Sequence, residues 1–124
     1  MSRPTILLVD DHAGFRATAR RMLEQDGWTV VGEAHDASTA IAAVAALIPD
    51  VVLLDIGLPD IDGFAVAARL AAVDPARPDV VLVSSRDREA YGDRVDASPA
   101  RGFIAKGDLD GPVLRAMIDG APHR

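Results

Sequence analysis

The stretch Val51-Val52-Leu53-Leu54-Asp55-Ile56-Gly57-Leu58-Pro59 is an apolar run of strand length, closed by a carboxylate and then by Gly57 and Pro59, two loop signals. A continuous Val/Leu run suits a strand covered on both faces of a parallel sheet. Asp55 then stands where the strand leaves the core and meets water, which is where α/β sheets place their chemistry. Three more runs of the same kind end in groups of complementary chemistry. Ile6-Leu7-Leu8-Val9 runs into Asp10-Asp11, Val80-Val81-Leu82-Val83 into Ser84, and Phe103-Ile104-Ala105 into Lys106. Three carboxylates, a hydroxyl and an ammonium are thus expected at one sheet edge.

Helical patterns lie between the runs. Ala13 to Gln25 places Phe15, Ala19, Met22 and Leu23 on one face, with Arg16, Arg20 and Arg21 off it, and Gly27 closes the helix. Thr29 to Glu33 reads as a β-branched strand whose polar ends suggest a sheet edge. Ser38 is positioned to cap a second helix with a stripe of Ile41, Val44, Ala45 and Ile48, which Pro49 stops. Gly63 opens a third helix with Phe64, Ala67, Ala68 and Ala71 on one face, broken by Asp74-Pro75-Ala76-Arg77-Pro78. Arg88 to Val95 reads as the weakest helix, because Gly92 within it costs ~1 kcal/mol relative to alanine. Gly102 to Ala105 is the last strand, and Pro112 suits the first residue of a final helix ending before Gly120. Strands alternating with helices through short connections imply a parallel sheet with right-handed crossovers and helices on both faces.

The 124 residues suffice for one domain burying roughly two thirds of the surface exposed by its unfolded chain. With no cysteine there is neither a disulfide framework nor a thiolate metal site. The start has no apolar stretch of secretory length, and no stretch approaches the ~18 apolar residues of a membrane span, so a cytoplasmic location is expected. A net charge of -6 argues against nucleic acid bound by this domain itself, because phosphate contacts need a basic surface.

The chemistry of the sheet edge follows from its charges. Three ionised aspartates and one ammonium leave about -2, which calls for proton uptake or a cation, since crowded like charges raise each other's pKa. Oxygen ligands with no histidine or thiolate partner select a hard cation, and few carboxylates suit Mg²⁺, which keeps several waters; Mn²⁺ is the alternative. A carboxylate beside Mg²⁺, a lysine and a hydroxyl is equipped to attack a phosphoryl group, and Asp55 is best placed as nucleophile. Each residue alone has a plainer reading. Asp10-Asp11 could form a helix-capping turn, Asp60 and Asp62 read as turn residues before Gly63, and Ser84 and Lys106 could be a strand end and a solvated charge. It is the four strand ends taken together that point to a site.

Leu8-Val9-Asp10-Asp11-His12, the segment from Val52 to Gly63, Val83-Ser84-Ser85 and Gly102-Phe103-Ile104-Ala105-Lys106 together resemble a response-regulator receiver domain over nearly the whole chain. The resemblance implies a flavodoxin-like doubly wound (βα)5 fold with strand order 2-1-3-4-5, residues 1–124 forming one receiver domain with no output domain among them. It implies that Asp55 accepts a phosphoryl group from a sensor histidine kinase. Asp11 would ligate Mg²⁺ directly, Asp10 largely through water, and Asp55 and the backbone carbonyl of Gly57 would complete the protein ligands. Lys106 would contact the phosphoryl oxygens, Ser84 would swing towards them, and Phe103, which reads equally well as a core aromatic, would turn inward behind it. The Asp-Asp-His opening and Lys106-Gly107-Asp108-Leu109 are most similar to receivers followed by a helix-turn-helix DNA-binding domain. Homodimer formation on phosphorylation and a DNA-binding output domain outside this chain are the partner expectations, with no membrane contact.

Two departures qualify the resemblance. The family often has proline after the lysine, where this chain has Gly107, so either a trans peptide or a strained loop is expected there. Gly57 and Arg86 occupy the two positions at which family members tune phosphate lifetime. Gly57 would leave water a path, and Arg86 would partly close it. A hydrolase with an aspartyl nucleophile is the alternative of a different class, weakened because Gly57 stands where the haloacid dehalogenase type has a second aspartate. A degenerate receiver used only for binding is weakened because all five site residues are present.

Overall fold

Each of the four apolar runs forms a strand in the computed structural model, which describes residues 3–74 and 78–120. In chain order the elements are β1 (Thr5–Val9), α1 (Ala13–Gln25), β2 (Thr29–Ala34), α2 (Ala37–Leu47), β3 (Val51–Asp55), α3 (Gly63–Val73), β4 (Asp79–Ser84), α4 (Arg94–Ala97), β5 (Gly102–Ala105) and α5 (Gly111–Asp119). The five strands form a single parallel sheet in the order β2-β1-β3-β4-β5. The doubly wound fold and the edge position of β2 are therefore as expected.

Side-chain alternation along the strands divides the core into two layers. Ile6, Leu8, Val51, Leu53, Val81, Val83 and Ile104 pack with Ala19 and Leu23 of α1, Leu114 of α5 and the buried Trp28. Leu7, Val9, Val52, Leu54, Val80 and Leu82 pack on the other side with Ala37 and Ala40 of α2 and Val66, Ala67 and Leu70 of α3. Burial of each such Leu or Val contributes about 1.5–3 kcal/mol, and it fixes the strand register, because a one-residue slip would turn every side chain to the wrong layer. Among the described residues no helix is long and apolar enough to cross a membrane.

Four local expectations are corrected. Asp36, not Ser38, caps α2, its Oδ1 accepting from Thr39 N at 2.8 Å. The buried positions of α2 are Ala37 and Ala40, while Ile48 of the expected stripe is 69 % exposed and adopts φ 48° as the C-cap. Small residues let this helix lie close to the sheet, and the larger side chains are left at its margin. The buried face of α3 is Val66, Ala67 and Leu70; of the expected face Ala67 is buried and Phe64 and Ala71 half-buried, while Ala68 is exposed. The fourth helix is broken: a 3₁₀ turn covers Arg88–Tyr91, Gly92 takes φ 57° and ψ -132°, and α4 is a single turn. Helix α3 stops at Val73, as expected, although Pro75, Ala76 and Arg77 of its breaking cluster lie outside the described residues.

Candidate functional site

Parallel strands bring their carboxyl ends to one edge, and there the structure gathers the expected groups. Asp10 follows β1 directly and is 1 % exposed, while Asp55 closes β3 and is 4 % exposed. Ser84 closes β4, and Lys106 follows β5 at the start of a 3₁₀ turn spanning Lys106–Asp108. Ligand atoms of Asp10, Asp11, His12 and Asp55 all lie within 4.8 Å of one another. Lys106 Nζ stands 2.6 Å from Asp10 Oδ2 and 3.9 Å from Asp55 Oδ2, over the ring of Phe15 at 4.4 Å.

The loop after β3 sets the Asp55 carboxylate. Gly57 N donates to Asp55 Oδ1 at 3.3 Å, and Ile56 N continues the sheet ladder to Val83 O at 3.0 Å. Gly63 N returns to Ile56 O at 2.8 Å, so that α3 begins hard against the end of β3. A Cβ on Gly63 would lie 2.6 Å from Asp55 O, a contact only glycine avoids. Of the two other acids, Asp62 has a local role before Gly63, whereas Asp60 reaches across to another helix. Asp62 Oδ1 caps α3 through Ala65 N at 2.9 Å, and Asp60 accepts from Ala37 N and Ser38 N at the start of α2.

The capping alternative does not hold for the acidic pair. Residue His12 is the N-cap of α1, and its side chain makes no capping bond. Asp10 instead accepts from His12 N at 2.8 Å, and His12 Nδ1 lies 3.0 Å from Asp10 Oδ1 and 3.1 Å from Asp11 Oδ1. Burial, with the neighbouring Asp10 and then Asp11 charges adding to it, raises the pKa of Asp55, against the opposing pull of Lys106 and the Gly57 N–H. Asp10 Oδ2 is buried with no hydrogen-bond partner among the described residues, and the Lys106 ammonium faces it as an ion pair. Three carboxylates against one ammonium leave an excess of negative charge, and oxygen donors this close together fit a hard divalent cation that would relieve it, although the His12 nitrogen, contrary to the expectation of no histidine, lies among them.

Ser84 has partners that the sequence reading did not foresee. Its Oγ lies 2.5 Å from Tyr91 Oη and accepts from Arg86 N at 3.0 Å. Phe103 is half-buried, its ring 6.1 Å from that of Tyr91, which meets Phe64 edge-on at 5.7 Å. Arg86 itself is exposed. The turn after Lys106 has no residue at positive φ. Sequence reasoning missed His12 and Tyr91. The adjacency of His12 to the acidic pair was a usable signal, whereas nothing in the spacing of Tyr91 points to Ser84.

The sequence matches the family model described as response regulator receiver domain over residues 6–119. A protein of Pseudomonas aeruginosa assigned as a transcriptional regulator is 39 % identical over 122 residues, covering 95 % of this chain and 58 % of its own length. NarL of Mycobacterium tuberculosis, also assigned as a transcriptional regulatory protein, is 36 % identical over 96 % of this chain and 55 % of its own. This chain thus spans somewhat more than half the length of these curated relatives. Among solved structures, the signal receiver domain of NarL from Mycobacterium tuberculosis superposes with a TM-score of 0.83 at 31 % identity, covering 96 % of this chain and 99 % of that one. A LuxR-family two-component response regulator from an Aurantimonas species gives 0.84 at 28 % identity, covering 94 % and 84 %.

Proposed function

Because the chain belongs to the response regulator receiver domain family, we propose that it is a phosphorylation-activated switch whose Asp55 takes a phosphoryl group from a sensor histidine kinase. The observation that carries this reading is the grouping of Asp10, Asp11 and Asp55 within 4.8 Å, with Lys106 Nζ 2.6 Å from the first and 3.9 Å from the last. In the transfer an Asp55 carboxylate oxygen forms the new P–O bond as the P–N bond to the donor imidazole breaks, the electron pair passing to that ring, which takes up a proton from water. Gly57 N–H orients the attacking carboxylate. Lys106 has a second task, since its ammonium can turn from Asp10 to the incoming phosphoryl oxygens without leaving the site.

Asp10, Asp11, Asp55 and the Gly57 carbonyl would hold Mg²⁺ or Mn²⁺. When bound, such an ion supplies positive charge that offsets both the carboxylates and the phosphoryl oxygens. The reaction is self-modification, without turnover of a separate substrate. The domain is regulatory, not an enzyme in its own right.

The phosphoryl group then biases a two-state equilibrium. Ser84 moves to it, Phe103 turns inward, and the surface formed by the broken fourth helix, β5 and α5 repacks. Shifting such an equilibrium from 1:99 to 99:1 takes ~5.5 kcal/mol of differential stabilisation, a large part of which new bonds to Lys106 and Ser84 can supply. The curated relatives are named as transcriptional regulators and are nearly twice as long, which supports a DNA-binding output domain for the whole protein; cytoplasmic action and dimer formation on phosphorylation are part of the same proposal. The test is incubation of the chain with a small phosphodonor, with and without Mg²⁺. Mg²⁺-dependent uptake of one phosphoryl group supports the reading, and no uptake in Mg²⁺ contradicts it.

A further inference from the structure

Ser84 is buried, and its hydroxyl is already engaged. Oγ accepts the Arg86 N–H at 3.0 Å and shares a 2.5 Å hydrogen bond with the Tyr91 phenol. A hydroxyl has one proton and two acceptor positions. If Ser84 donates to Tyr91, its proton is spent. If Tyr91 donates, both acceptor positions are spent and the oxygen is held from two sides. In either arrangement a rotation of Ser84 towards Asp55 breaks the bond to Tyr91.

The phenol is held firmly enough to matter. Its ring meets Phe64 of α3 edge-on at 5.7 Å and Phe103 of β5 at 6.1 Å. Phe64 is covered in turn by the Arg94 guanidinium 4.3 Å above it, and Arg94 is tied to Asp62 at 2.9 Å. The backbone carrying Tyr91 is weak by comparison. It is one 3₁₀ turn ended by Gly92 at positive φ, with no buried residue of its own. Tyr91 therefore joins an easily moved segment to the hydroxyl at the end of β4.

We propose that Tyr91 is a positioning residue: its phenol restrains the Ser84 hydroxyl in the unphosphorylated chain, and Ser84 reaches a phosphoryl oxygen only by giving up that bond. The 3₁₀ segment is released in the same step, so that the site and the surface around the fourth helix change together. The second half of this proposal rests on Asp55 as phospho-acceptor; the restraint itself does not.

Tyr91→Phe keeps the ring and removes only the hydroxyl. Without any phosphodonor, amide hydrogen exchange across residues 88–91 is expected to quicken about 2- to 10-fold in Tyr91→Phe, the size of one lost hydrogen bond. In a Ser84→Ala background the same change should add nothing. Exchange at the native rate in Tyr91→Phe, or an undiminished effect in Ser84→Ala, overturns the restraint. With Mg²⁺ and beryllofluoride as the phosphoryl mimic, Tyr91→Phe should bind about 2- to 10-fold more tightly than the native chain. Equal or weaker binding overturns the coupling. Failure of the native chain to bind beryllofluoride would sink the phospho-acceptor reading instead, with the exchange comparison still deciding the restraint. The chain has one tyrosine, so the ring resonances of Tyr91 report its release without assignment by mutation.

Discussion

Lys106 Nζ lies 2.6 Å from Asp10 Oδ2 and 3.9 Å from Asp55 Oδ2, so one ammonium serves two buried carboxylates and favours the one that is not the proposed nucleophile. The lysine side chain is 16 % exposed and that of Asp10 2 %, which makes this pair unlike a surface ion pair. Its proximity to Asp10 gives it a structural duty before any phosphoryl group arrives.

Removing that ammonium leaves a buried charge without its partner. Lys106→Met should therefore destabilise the metal-free domain by on the order of 3 kcal/mol. The loss should shrink when Mg²⁺ is added, because the cation takes over part of the neutralisation. Urea denaturation with and without Mg²⁺ measures both effects, and an equal loss in the two conditions would count against a shared cation site.

The raised pKa of Asp55 has a definite sign in stability. Burial first, and the Asp10 charge second, favour its protonated form in the folded state. Its contribution is therefore fully present below the unfolded carboxylate pKa and is lost as pH rises through the higher folded value. Metal-free protein should weaken over that interval, and Asp55→Asn should remove the weakening and raise the midpoint above it. Thermal melts of the two proteins across the acid range read this directly. A steeper decline in Asp55→Asn would be the wrong sign.

The approach of α3 to β3 predicts a contrast between two glycines. Gly63→Ala sets a methyl group 2.6 Å from Asp55 O and 2.9 Å from Ile56 Cα, both backbone, and should cost about 2–3 kcal/mol despite the better helix propensity of alanine. Gly57 has no atom within 4 Å of the same position, so Gly57→Ala should change stability by less than about 0.5 kcal/mol. Denaturation midpoints of the two variants compare them. Equal losses would contradict a close approach present at Gly63 and absent at Gly57.

Much of this site was legible in the sequence because each of the four strands that supply it carries an apolar run leading into a polar group. Asp10, Asp55, Ser84 and Lys106 needed only the rule that parallel strands share a carboxyl edge. The faces of α2 and α3 were not legible for the opposite reason. In a helix of alanines, Ala40 and Ala45 carry the same side chain, and only the distance to the sheet separates the buried one from the exposed one. Asp36 and Ser38 are both good caps two residues apart, and pattern alone does not choose between them. The contact of Tyr91 with Ser84 depends on how Gly92 turns the chain, which no periodicity records.

The open space beside Gly57 bears on how long a phosphoryl group would survive. A side chain there would meet no atom within 4 Å, which leaves room for an attacking water. Arg86 is the exposed residue at the other lifetime-tuning position, tied to the site through its N–H on Ser84 Oγ at 3.0 Å. Arg86→Ala should speed decay of the phosphorylated form a few-fold, and unchanged decay of the isolated phosphoprotein would remove Arg86 from this account.

The central claim is that Asp55 is the group that forms the phosphoryl bond. Its most direct test is intact-protein mass spectrometry after incubation with a small phosphodonor and Mg²⁺, comparing the native chain with Asp55→Ala. The account predicts one added phosphoryl group on the native chain, absent when Mg²⁺ is chelated and absent from Asp55→Ala. An unmodified native chain, or a variant labelled as fully as the native protein, would contradict it.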